Sequence, residues 1–198
     1  MTTPTVLIIP GLRDHVEAHW QTLLAKALPH SVTVPPLEHD KLSCQARLDA
    51  IDRALEAIEG PVIIVAHSAG CMMVAHWAQH STRPIRGALL AAPADVEMPM
   101  PAGYPTKEVL QSNGWMPIPH SRLRFPSILA ASSNDPLTQF ERARGFADNW
   151  GSRLVALGPV GHLNPNSGHG PWPQAMELID ELLRMTENHA EHESATHP

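Results

Sequence analysis

Short apolar runs at 5–10, 62–66, 86–92, 127–132 and 153–157, with a weaker one at 32–34, alternate with longer amphipathic stretches, and this alternation constrains the fold more than any other feature of the chain. A run that is apolar throughout must be covered on both faces, and amphipathic helices between such runs supply the cover. The result is an α/β architecture, a parallel sheet between helical layers. Helices are expected near 18–28, 43–58, 69–80, 138–149 and 173–186. Within 43–58, Leu48, Ile51, Leu55 and Ile58 fall on one stripe, and Gly60-Pro61 stops the helix before the next strand.

A chain of 198 residues suits one such domain. The expected division is a single domain over 1–186 followed by a disordered polar tail over 187–198, rich in Glu and His. The stretch 93–120, with Pro93, Pro99, Pro101, Pro105, Pro117 and Pro119, lacks helical or strand periodicity and is long for a connection. It is placed to cover whatever site the sheet presents.

With a net charge of -6 and no cluster of Lys and Arg, the sequence argues against nucleic acid as a partner. A small neutral or apolar molecule is the expected ligand. No apolar run reaches membrane-spanning length, and the first residues lack the basic patch and apolar core of a secretion signal, so no membrane association and a cytoplasmic location are expected. Cys44 and Cys71 have no metal-ligand spacing and read as buried thiols, and neither a metal nor an organic cofactor is expected.

In an open parallel sheet, ligands bind beyond the carboxyl ends of the strands, so the loops that follow strands carry most functional weight. The run Val62 to Val65 leads into Ala66-His67-Ser68-Ala69-Gly70 and then a helix-compatible segment. This is the pattern of a nucleophile elbow, in which small residues on either side of the serine permit a sharp strand-to-helix turn. Ala66 replaces the usual first glycine, a substitution the site is expected to tolerate. A serine needs a base to take its proton and a carboxylate to orient that base. Asp135, in Ser133-Asn134-Asp135-Pro136, and His162, in Gly161-His162-Leu163-Asn164, both follow strands and come in the order acid, then histidine. Asp95 and His169 are the rivals. The two oxyanion amides would be those of Ala69, after the nucleophile, and Leu12, in the Pro10-Gly11-Leu12 turn after the first strand.

Pro10-Gly11 with His19-Trp20 downstream, the His67 to Gly70 elbow, Ala92-Pro93-Ala94-Asp95, Phe125-Pro126-Ser127, Ser133 to Pro136, Gly161 to Asn164, and Ser167-Gly168 with Trp172-Pro173 together resemble the short α/β-hydrolases that include retinoblastoma-binding protein 9 and related bacterial serine hydrolases. The resemblance covers roughly residues 5 to 186. It implies a three-layer fold with a six-stranded parallel sheet in the order 2-1-3-4-5-6 and no large cap domain. Loop side chains then shape the pocket, for which Trp20, Trp115 and Trp172 are the candidates. The function expected is hydrolysis of a small ester or related acyl substrate through an acyl-enzyme, with thioesters and peptides left open as substrates. The alternative is a protein-binding module on the same fold with residual activity, although no partner protein is indicated by the sequence.

Overall fold

The computed structural model describes the backbone of residues 3–195 and the side chains of that span up to 186. Its strands are β1 (Thr5–Ile9), β2 (Ser31–Thr33), β3 (Val62–Ser68), β4 (Gly87–Pro93), β5 (Ser127–Ala131) and β6 (Arg153–Ala156). They form one six-stranded sheet in the order β2-β1-β3-β4-β5-β6, parallel throughout. The helices are α1 (Trp20–Ala27), α2 (Cys44–Glu56), α3 (Ala69–Trp77), α4 (Lys107–Ser112), α5 (Phe140–Trp150) and α6 (Gln174–Ala195).

The period-two geometry of strands divides the core into two layers. Leu7, Ile9, Ile64, Ala66, Leu90 and Leu129 face one side, where Leu48 and Ile51 of α2, Met72 of α3 and Phe146 of α5 pack on them. Val6, Ile8, Ile63, Val65, Leu89 and Ile128 face the other, against Trp20 and Leu24 of α1 and Leu178, Ile179 and Leu182 of α6. Every residue of β3 and β4 is buried, as the continuous apolar runs require.

Local signals set the helix ends. Ser43 caps α2 by accepting the Ala46 amide, and Gly151 closes α5 in the left-handed conformation at φ 69°. Two expectations are corrected. The stretch 93–120 contains α4, a short helix capped by Thr106; with Leu110 its one buried residue, it carries no readable period. The segment expected as a disordered tail instead continues α6 through Ala195, since Glu and Ala favour helix even where no apolar stripe marks it; residues 196–198 lie outside those described.

The chain leaves β1 for the edge strand β2 and returns to β3 on the other side of β1. The carboxyl ends of β1 and β3 therefore flank a topological switch point, where a crevice opens.

Candidate active site

Ser68 ends β3 at φ 60° and ψ -129°, a conformation that a residue with a side chain holds only under strain of roughly 1–3 kcal/mol. The register between β3 and β4 slips between His67 and Ser68, and α3 starts at the next residue. Contact requires glycine at one nearby position and favours it at a second. A Cβ on Gly70 would lie 2.5 Å from the carbonyl oxygen of Ile9, so α3 can enter beside β1 only without a side chain there. A Cβ on Gly11 would lie 3.0 Å from Ser68 Cβ and 3.3 Å from its Oγ, so the loop after β1 passes directly over the serine. Ala66 is tolerated because its methyl joins the core beneath α2 and α3.

The Ser68 hydroxyl lies 2.9 Å from His162 Nε2. His162 Nδ1 lies 2.8 Å from Asp135 Oδ2 and 3.0 Å from Oδ1, with both side chains nearly sealed at 4 % and 3 % exposure. An ionised carboxylate only accepts, so Nδ1 carries the proton and Nε2 presents its lone pair to the Ser68 hydroxyl. Asp135 also accepts the Leu137 amide at 2.8 Å, which fixes its plane.

Around this chain of hydrogen bonds a second set holds the two loops in place. Asn134 Oδ1 accepts the Gly161 amide at 2.7 Å, joining the loop after β5 to the one after β6. The Ser167 hydroxyl accepts the His162 amide at 2.9 Å and donates to Asn164 Oδ1 at 2.9 Å. His67 Nε2 donates to the His162 carbonyl oxygen at 2.9 Å. Burial, with repulsion from His162 and His19 added, pushes the His67 pKa well below its ordinary value, so its ring is neutral.

Leu12 and Ala69 line the same cavity as Ser68. Ala69 is the first residue of α3, where amides have no partner within the helix and the helix dipole favours negative charge. Arg47 steadies the Leu12 loop through an ion pair with Asp14 and a long hydrogen bond of 3.5 Å to the Leu12 carbonyl oxygen.

The rivals fall elsewhere. Asp95 is 1 % exposed and takes a fork of hydrogen bonds from Arg142, at 2.6 and 2.9 Å. That pairing anchors the 93–120 stretch to α5. His169 packs its backbone amide on the Asn164 carbonyl oxygen and does not line the cavity.

The cavity measures about 250 Å³. None of the three tryptophans expected to shape it lines it. Trp115 is fully buried and donates to the Leu42 carbonyl oxygen at 2.7 Å, while Trp20 and Trp172 stack edge to face at 4.8 Å in the opposite core layer. Aromatic bulk serves packing here. The apolar walls are instead Leu12, Val16, Val96, Met100, Leu110 and Leu137, several from the proline-rich stretch. His19 and Tyr104 also line it. His19 and His67 are the site residues whose part the sequence did not disclose; position alone, one residue before the serine, singled out His67.

Among the described residues no group of His, Cys, Asp and Glu is arranged to hold a metal ion, and no helix is long and apolar enough to cross a membrane. Cys44 and Cys71 are free, buried thiols.

The chain belongs to the serine hydrolase family, whose model matches residues 6–181. No curated protein matches it at a significant level. A solved structure described as a YdeN-like hydrolase from Pectobacterium atrosepticum is 29 % identical, with a TM-score of 0.75 over 92 % of this chain and 91 % of that one. The ydeN gene product of Bacillus subtilis is 18 % identical, with a TM-score of 0.73 over 92 % of this chain and 100 % of that one. Est1E of Butyrivibrio proteoclasticus, at 13 % identity, has a TM-score of 0.67 over 96 % and 88 %. The last two share the fold. An α/β-hydrolase of the serine hydrolase family is thus the class that fold and sequence define.

Proposed function

We propose that this protein hydrolyses a small carboxylic ester through an acyl-enzyme, with Ser68 as nucleophile, His162 as base and Asp135 as its orienting acid, all carried by one domain over 1–186. The observation that carries the reading is the continuous hydrogen-bonded chain from Ser68 Oγ through His162 to Asp135, opening into an apolar cavity.

His162 Nε2 takes the Ser68 proton as Oγ bonds to the substrate carbonyl carbon. The carbonyl oxygen becomes an oxyanion that accepts the amides of Leu12 and Ala69. His162 then protonates the leaving alcohol as its bond to carbon breaks, leaving Ser68 acylated. Water enters, gives a proton to His162 as its oxygen attacks the acyl carbon, and the serine recovers its hydrogen as the acid departs. Asp135 keeps its negative charge and stabilises the imidazolium formed in each half. A cavity of about 250 Å³ with apolar walls favours a short acyl group.

The test is labelling with a fluorophosphonate of the wild type beside Ser68→Ala and His162→Ala, each shown to be folded by circular dichroism. Labelling of the wild type alone supports the assignment. An unlabelled wild-type protein, or a labelled Ser68→Ala variant, overturns it.

A further inference from the structure

Among the buried polar side chains that line the cavity, His19 is the one whose bonding leaves a proton unused. It precedes α1, and its Nδ1 accepts the Gln21 amide at 3.2 Å, so it caps that helix. A nitrogen that accepts an N–H carries no proton, so in the neutral ring Nε2 must carry it. Among the described residues Nε2 has no hydrogen-bond partner in the chain, and it is not one of the sealed polar atoms left unpaired, which are Trp20 Nε1, Arg83 Nε and Arg86 Nε. The residue is only 8 % exposed, and it lines the cavity that Ser68 also lines. Its ring lies 4.6 Å from that of His67, the neighbour of the nucleophile. A donor held this way is costly to bury unless something accepts from it.

We propose that His19 Nε2–H donates a hydrogen bond to the substrate, and hence that the natural substrate carries an acceptor oxygen within a few atoms of the scissile carbonyl. This rests on the hydrolase reading above and specifies its substrate class. An all-hydrocarbon ester leaves the donor unpaired; an ether, keto or hydroxyl oxygen satisfies it. Burial, reinforced by His162, lowers the His19 pKa to about 4, so the donor stays neutral and in the same tautomer through the working range of the triad.

The test uses pairs of esters of nearly equal shape. On the acyl side these are p-nitrophenyl methoxyacetate and p-nitrophenyl butyrate; on the alcohol side, methoxyethyl butyrate and n-butyl butyrate. Each is corrected for its hydroxide-catalysed rate. The variant is His19→Asn, which keeps a side-chain acceptor to cap α1 but is too short to deliver a donor into the cavity. In at least one pair the wild type should prefer the oxygen-bearing ester, and the variant should lose about tenfold of that preference in kcat/KM, the usual weight of one hydrogen bond in a dry site. The pair that responds says which half of the substrate His19 touches. An oxygen-to-methylene ratio unchanged by the variant in both pairs overturns the proposal while leaving the hydrolase reading intact. If the wild type turns over none of the four esters and fluorophosphonate leaves Ser68 unmodified, both readings fall together.

Discussion

His67 and His162, 95 residues apart in sequence, are tied by a hydrogen bond of 2.9 Å from one imidazole to the other residue's carbonyl oxygen. The bond joins the end of β3, where the proposed nucleophile Ser68 sits, to the loop that carries the proposed base, so it sets the spacing of those two residues. His67→Leu keeps the bulk and loses the bond. The expected result is a fall in kcat of about tenfold to a hundredfold with KM little changed, since positioning acts on the reacting geometry. Steady-state kinetics on an activated ester decides it; a change in KM alone would place His67 among the substrate contacts.

Asp135 and Asp95 are both buried acids after strands, and they should fail in different ways. Asp135→Asn removes the charge that supports the imidazolium and should reduce kcat by about 10⁴-fold, as in serine proteases. Asp95→Asn weakens the fork with Arg142, whose guanidinium is partly exposed and keeps Glu97, and should lower stability by about 1.5 kcal/mol, with turnover retained by the folded fraction. Kinetics and urea unfolding of the two variants side by side would separate the roles, and a reversed pattern would exchange them.

Gly11 and Gly70 make a second contrasting pair. Alanine at Gly70 drives a methyl to 2.5 Å from a strand carbonyl oxygen, and backbone on both sides has no room to yield. A loss of about 1–3 kcal/mol, seen as a lower melting temperature, is expected. Alanine at Gly11 meets Ser68 itself at 3.0 Å. There the fold should survive and kcat/KM should fall by about a hundredfold, because Ser68 and the loop proposed to hold the oxyanion are pushed apart.

Stability should also depend on pH through the two buried histidines. Desolvation is the main cause that lowers His19 from 6.5 to about 4, and His67 falls well below 6.5 for the same reason. In the unfolded chain both titrate near 6.5, so below that pH the unfolded state binds more protons than the folded one. Their contribution is complete above pH 6.5 and is lost as the pH falls toward about 4. Melting temperatures across that window should decline, and less steeply in His19→Asn; an equal slope would mean that other groups control acid unfolding.

How much of this was legible in the sequence depends on the range of the interactions involved. The strands of the buried sheet and the stripe on α2 are local patterns, and chain order put Ser68, Asp135 and His162 each on a loop after a strand. Their assembly into one hydrogen-bonded chain, and the bond between His67 and His162, join positions far apart and have no local signature. Trp20, Trp115 and Trp172 misled for a related reason: a large aromatic ring marks burial without saying on which side of the sheet. The helix at 107–112 was hidden by prolines on either side and by having a single buried residue, Leu110.

The proline-rich wall of the cavity is fastened at both ends. Asp95 is held by Arg142, Glu97 accepts the Ile118 amide, Asn113 accepts the Cys44 amide, Trp115 is bonded to Leu42, and Leu123 and Pro119 are bonded to Trp150. A wall pinned on either side of its cavity-lining part is not hinged at one end, as a lid drawn back by an oil–water boundary must be. Catalysis by this protein should therefore saturate smoothly as an ester is raised past its solubility limit, without the jump in rate that emulsified substrate produces in lipases whose lids must be drawn back.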